Sequence, residues 1–300
     1  MKQKVFRTYK NPVFFLLQSL IALFRIPIFL WKNKHPRSIL YFTVFHPWNG
    51  LFMFFGRLLG YKSVLTIHDF ITHLGERSWL IEAIQQYQIK KADKLIFLSK
   101  YVRNQALSWS ENLGHKCHII NHPIPRDIEA NNMGFNTRPN ILVLGRMKDY
   151  KGIDMLSNAI YGLEYNQLTL AGLGSFNYSY EIERLQIEDA WVSTERLNEL
   201  LSEHEILILP YKEASQSGVL TLGIAAEMVI LATNVGALPE QASSNAVLFS
   251  DPDSNDLRDK LIQLTSDNVL YNNLKFNIKT LKQETNAKVA AQIEDFFNKL

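Results

Sequence analysis

The chain has 300 residues, 47% of them hydrophobic and 20% charged, with a formal net charge of +3. That composition excludes a disordered chain, a collagen-like repeat and a low-complexity scaffold, and the length suits two domains of ordinary size. A single cysteine, Cys117, excludes a disulfide framework and a Cys-rich zinc module and favours a reducing compartment.

Charge is unevenly spread. Ten basic residues, from Lys2 to Lys62, precede the first acidic one, Asp69, so the rest of the chain is net negative. An anionic partner is implied for the N-terminal part. The cations flank apolar stretches rather than lining a helix beside stacking aromatics, which suits an anionic lipid surface and argues against nucleic acid. Val13–Trp31 (VFFLLQSLIALFRIPIFLW) is about long enough to cross a bilayer, but Gln18, Arg25 and the helix breaker Pro27 count against a span. No small-x-small site follows Leu23, which argues against a signal peptide. Three readings stay open: an interfacial helix, a helix buried in the first domain, or a true span. A second apolar run, Leu51–Phe55, reads as a core helix.

From Ile39 the pattern alternates. Strands are predicted at Ile39–Phe45, Ser63–Ile67, Lys94–Leu98 and Lys116–Ile120, with helices at Trp48–Leu59, Arg77–Ala92 and Lys100–Ser108. The stretch Pro123–Pro139, rich in Pro, Asn and Gly, reads as an interdomain linker. Alternation then resumes with strands Asn140–Leu144, Leu168–Ala171, Glu205–Leu209, Met228–Ala232 and Ala246–Phe249. Helices are predicted at Gly152–Tyr161, Thr194–Ser202, Ser217–Ala226 and from Ser254 to the terminus. Strands alternating with helices imply parallel sheets with crossover helices, hence an α/β protein of two doubly wound domains. The first is assigned to 1–138, including the apolar basic segment and the linker. The second is 139–300, its last helix a candidate to pack back on the first domain.

Ligands of open α/β sheets bind beyond the carboxyl ends of the strands, where four polar clusters fall. Gly145–Gly152 carries Arg146, Lys148 and Lys151 after a strand and before a helix, an arrangement suited to a diphosphate. Pro210–Leu220 offers Glu213 for sugar hydroxyls, and the small residues Ser215, Ser217 and Gly218 open a helix with free amides. Val235–Glu240 is the third. Ala171–Gly174 begins like a dinucleotide fingerprint, but Asn177 takes the third glycine's place, which argues against a dehydrogenase. Taken singly, these clusters also fit a basic loop and, at Ser217, a plain helix N-cap.

Together and in this order they resemble a family 4 glycosyltransferase of the GT-B fold. The resemblance is carried by GRMKDYKGID (145–154), LTLAGLG (168–174), EILILPYKEASQSGVL (205–220) and ILATNVGALPE (230–240). It extends to TIHDFITHLGE (66–76), KADKLIFLS (91–99) and HIINHPIP (118–125), and spans roughly residues 39–300. It implies two Rossmann-like domains facing across a cleft, a nucleotide-sugar held by the second, and an acceptor held by the first. Transfer would retain anomeric configuration without a bound metal or other cofactor. Arg146 and Lys151 match the donor-diphosphate cations, with the amides at Ser217, Gly218 and Val219 beside them. Glu213 falls at or next to the first glutamate of a Glu-x7-Glu pair, and His68 matches a cleft histidine near the transferred sugar. Those two are the implied catalytic residues. Gly145, Ser215, Gly236 and Glu240 complete the donor side, and His46 and Asp69 are candidates on the acceptor side.

Three departures stand out. The second glutamate is replaced by Thr221 or Leu222. Glu227 and Val229 stand where Gly and Pro are usual, and the first domain reads as abbreviated at its N-terminus. The expected activity is sugar transfer to a cell-surface polysaccharide or lipid-linked oligosaccharide. It would take place in the cytoplasm, peripherally at the inner face of an anionic membrane. Alternatives are a donor-binding but catalytically weak partner subunit, or a nucleotide-sugar epimerase of the same fold. His68, Asp69 and His73 could ligate a metal, but their strand-end and loop positions favour polar roles. For His122 a backbone hydrogen bond is expected, and for Glu76 a helix-start role.

Overall fold

The computed structural model describes residues 12–71, 79–175 and 182–300; Lys2, Lys4, Arg7, Lys10, His73, Glu76 and Asn177 lie outside them. The described chain forms two compact units. The first comprises 12–71, 79–97 and 106–118, the second 98–105, 119–175 and 182–300.

The first unit opens with helix α1 (Pro12–Lys32). Pro27, expected to break it, lies inside the helix. Proline removes one backbone donor, and the fully buried neighbours Ile26 and Leu30 anchor the helix on either side of it. There follow β1 (Ile39–Phe42), α2 (Asn49–Leu58), β2 (Lys62–Ile67), α3 (Trp79–Lys91), β3 (Lys94–Phe97), α4 (Lys100–Trp109), a 3-10 turn (Glu111–Lys116) and β4 (Cys117–Ile119), with α4 up to residue 105 and the last residue of β4 counting with the second unit. The sheet order is β1-β2-β3-β4. The β1–β2 and β2–β3 pairs are parallel, with Tyr41 opposite Val64 and Val64 opposite Lys94. Lys116 is buried, its ammonium donating to Ile89 O, Lys90 O and Ala92 O at the end of α3. Satisfying those carbonyls is a structural role.

The second unit contains β5 (Asn140–Leu144), α5 (Ile153–Ile160), β6 (Gln167–Ala171), β7 (Leu185–Glu188), α6 (Thr194–Glu203), β8 (Ile206–Leu209), α7 (Gly218–Ala225), β9 (Val229–Thr233), α8 (Leu238–Gln241), β10 (Leu248–Ser250), α9 (Ser254–Ser266) and α10 (Asn268–Asn298). Its sheet runs β10-β9-β8-β5-β6-β7, parallel throughout. Two apolar clusters share its strands. Leu142, Leu207 and Ile230 belong to one; Ile141, Ile206 and Val229, each the adjacent residue, belong to the other. Strand β7 was not foreseen, because an edge strand reading Leu-Gln-Ile-Glu offers only two apolar residues.

The stretch read as a linker packs within the second unit. Asn131 donates from its amide nitrogen to Leu201 O and His204 O, and its backbone N donates to Ala226 O. From α10, Asn286 accepts from Ile124 N and Gln292 accepts from Asn121 N. The unusual Glu227 takes a left-handed φ of 56°, and its carboxylate pairs with Lys282, which also donates to Ala225 O. That pair ties the turn to α10. Val229 is fully buried in β9.

Candidate functional site

The order of the second sheet reverses between β5 and β8, so their following loops diverge and leave a crevice at the strand ends. All four predicted clusters are joined there through backbone contacts. Gly145 (φ 111°) donates its N–H to Ala171 O, and Met147 N donates to Leu173 O. A Cβ at Gly172 would stand 2.2 Å from Gly145 O. The Gly-x-Gly run after β6 therefore braces the basic loop instead of cradling a dinucleotide. Lys212 N donates to Tyr150 O, and a Cβ at Gly152 would stand 1.9 Å from Pro210 O, joining the basic loop to the one after β8. Ala237 N donates to Ala214 O, and a Cβ at Gly236 would meet that oxygen at 1.7 Å, bringing in the loop after β9.

Within this frame Lys151 is buried and Arg146 exposed. Lys151 Nζ lies 3.7 Å from the ring centroid of Tyr211 and 5.4 Å from that of Tyr150. No carboxylate among the described residues pairs with it. Burial, with the like charge of Arg146 adding to it, lowers its pKa from 10.5 to about 8, while Tyr150 opposes the shift. Burial pushes the Tyr211 phenol far up, and its hydroxyl lies 3.3 Å from Ser217 Oγ. Sequence reasoning missed this aromatic seat, since Tyr150 and Tyr211 follow different strands and neither belongs to a recognisable spacing.

Ser217 caps α7, its Oγ accepting from Leu220 N. Gln241, also not foreseen, clasps it by accepting from Ser217 N and donating to Ser217 O. The amides of Gly218 and Val219 remain as first-turn donors without an intrahelical partner. Glu213 is half-buried in the same loop, and Ser215 is buried, its carbonyl accepting from Ser99 Oγ. Thr221 donates its hydroxyl to Gly218 O, while Leu222 packs against the core. Neither supplies the carboxylate of the missing second glutamate. Glu240 faces another helix: its two oxygens accept from Lys100 N and Tyr101 N, both at 2.7 Å, capping α4.

The remaining candidates lie in the first unit. His68 Nε2 is 2.7 Å from Thr43 O, and Asp69 O accepts from Gln85 Nε2. Both line a cavity of about 300 Å³ with Val44, Phe45, Ile81 and Gln85. His46 sits apart from that cavity, packed edge-on against Phe15 and Trp48, and its Nδ1 accepts from Trp48 N. Burial lowers its pKa, and its Nε2 is buried with no partner among the described residues. Those contacts make His46 a packing residue. Among the described residues no three His, Cys, Asp or Glu side chains gather as a metal site, and His73 lies outside them. His122 Nδ1 is 2.9 Å from Pro123 O.

Two Rossmann-like α/β units on one chain define the GT-B class of fold. Residues 138–267 match the family described as Glycosyl transferases group 1. An uncharacterised glycosyltransferase of Methanocaldococcus jannaschii is 25% identical over 236 residues, 75% of this chain and 65% of the relative, so the chain spans about two thirds of that relative's length. Sucrose-phosphate synthase from Thermosynechococcus elongatus superposes with a TM-score of 0.74 at 16% identity, covering 97% of this chain and 80% of that one. Anabaena HepE in complex with UDP gives a TM-score of 0.71 at 12% identity, covering 97% and 85%. The sequence matches are to glycosyltransferases and the solved structures show the GT-B fold, in line with the motif resemblance.

Proposed function

We propose that the protein is a retaining glycosyltransferase of the family 4 type, moving a sugar from a nucleotide-sugar to a saccharide or lipid-linked acceptor. The observation that carries this reading is Lys151, a buried ammonium seated on aromatic rings at the switch point with no carboxylate partner among the described residues. A buried charge is costly unless something balances it, and the Gly218 and Val219 amides beside Ser217 make an anion the fitting guest. The complex of the HepE neighbour with UDP supports a nucleoside diphosphate in that role.

In this reading the C1–O bond to the phosphate breaks, its electron pair leaving with the nucleoside diphosphate. A new bond joins C1 to the acceptor hydroxyl oxygen, whose proton passes to the departing diphosphate. Lys151, Arg146 and the α7 amides offset the developing charge, so that no metal or other cofactor is required. Glu213 holds the sugar hydroxyls, with Gly145, Ser215 and Gly236 shaping the donor loops. His68 and Asp69 serve the acceptor side, and the reaction belongs in the cytoplasm. The loss of the ribose carboxylate at Thr221 favours a second reading, a donor-binding partner subunit with little turnover of its own. Turnover by the purified protein alone removes that reading.

Calorimetric titration with UDP and GDP tests the donor site. The reading expects one nucleotide to bind the wild type and to lose affinity in Arg146→Ala/Lys151→Ala. Affinity unchanged in the double variant places the diphosphate elsewhere and overturns it.

A further inference from the structure

Helix α1 has two apolar faces. Ala22, Ile26 and Leu30 recur every fourth residue and are buried against Trp48 and Tyr61. Polar bonds fix the helix at two points: Trp48 Nε1 donates to Ser19 Oγ, and the Tyr61 hydroxyl donates to Leu30 O near its end. On the other side Leu16, Leu17, Leu20, Phe24, Ile28 and Trp31 face outward, Phe24 at 73% and Trp31 at 68% exposure. At 100° per residue these six fall within one sector opposite the buried stripe, with no charged residue among them. Six neighbouring apolar side chains, each more than half exposed, form a contiguous patch of the kind that marks an interaction surface.

Charge decides what covers it. Arg25 and Lys32, both exposed and seven residues apart, lie along one rim of the apolar face. Lys34 and Arg37 follow, and no acidic residue occurs before Asp69. A second copy would bring the same basic rim and nothing in this segment to neutralise it. An anionic bilayer supplies both acyl chains for the face and phosphates for the rim.

We propose that α1 is an in-plane membrane anchor, its outward face in the acyl boundary of an anionic leaflet and Arg25 and Lys32 at the lipid phosphates. The window Val13–Lys32 is long and apolar enough to span, at a mean hydropathy of 2.2. Spanning would strip Ala22, Ile26 and Leu30 from their core, break both polar bonds and carry Arg25 toward the bilayer centre. The proposal does not depend on the donor site, which belongs to the second unit.

Flotation of the full chain with phosphatidylcholine vesicles, with and without phosphatidylglycerol, tests it. The wild type should float with the anionic vesicles and be released by alkaline carbonate. Leu20→Glu/Phe24→Glu should stay at the bottom of the gradient while keeping the wild-type circular dichroism. Arg25→Gln/Lys32→Gln should lower partitioning onto the anionic vesicles by about 25-fold, at roughly fivefold per cation, and leave neutral vesicles unaffected. Wild type that remains unbound, binding that survives Leu20→Glu/Phe24→Glu, resistance to carbonate, or a lipid-independent dimer held by this face would each overturn it. Because flotation and UDP titration are read separately, loss of one leaves the other standing.

Discussion

Lys151→Met replaces a buried ammonium with an apolar side chain of similar reach. The folded pKa of about 8, against 10.5 ordinarily, corresponds to about 3 kcal/mol of penalty on the charged form in the folded state. Because the folded value is the lower one, that penalty is complete below pH 8. Between pH 8 and 10.5 the unfolded chain holds a proton that the folded one lacks, so the wild type gains stability as pH rises through that window. Met also forfeits the ring contacts, about 1–2 kcal/mol for a desolvated cation on an aromatic face. The variant should therefore be about 1–2 kcal/mol more stable at pH 7, raising Tm by a few degrees, and the gap should close or reverse near pH 10. Its UDP affinity should fall by roughly 10–100-fold, the value of a charge-assisted contact. Calorimetric melting at the two pH values, with UDP titration at pH 7, reads both quantities. A variant less stable at pH 7 with undiminished UDP affinity would refute the reasoning and make Lys151 a structural residue.

The same titration should appear in binding. Between pH 7 and 9 the free protein passes from mostly charged to mostly neutral Lys151, so wild-type affinity for UDP should fall about tenfold, while Lys151→Arg keeps any remaining affinity level over that range. Proton uptake on binding, measured in buffers of different ionisation enthalpy, checks it independently. Gly152→Ala and Gly162→Ala share a positive φ, but only the first Cβ collides, at 1.9 Å from Pro210 O. In urea unfolding Gly162→Ala should cost about 1 kcal/mol, and Gly152→Ala should cost clearly more and weaken UDP binding. Glu240→Ala should cost about 1–3 kcal/mol through the lost cap on α4 and leave UDP affinity within about twofold. A fall in affinity with unchanged stability would return Glu240 to the donor site.

Alternation of apolar runs with helical periodicity located nine of the ten strands among the described residues, because each run carries its own signal. The exception, β7, lies at the sheet edge, and of its four residues only Leu185 and Ile187 carry an apolar signal. The basic loop after β5 and the serine-capped start of α7 were equally legible, since a glycine turn and an N-cap are local devices. The sequence could also number the apolar residues of Val13–Trp31, but not divide them. Only packing against Trp48 and Tyr61 separates the buried stripe from the outward face.

Local pattern likewise places Lys151 in a loop and says nothing of its burial. Tyr211, sixty residues on, reaches the ammonium because the sheet sets β5 beside β8 and draws their loops together. Glu240 reads as a site residue by its motif, yet its carboxylate is spent on the amides of a helix some 140 residues earlier in the chain. Chemistry-bearing residue types and their order are written in the sequence. Their protonation, burial and partners arise from contacts between distant segments, and those exist only once the strands have been ordered.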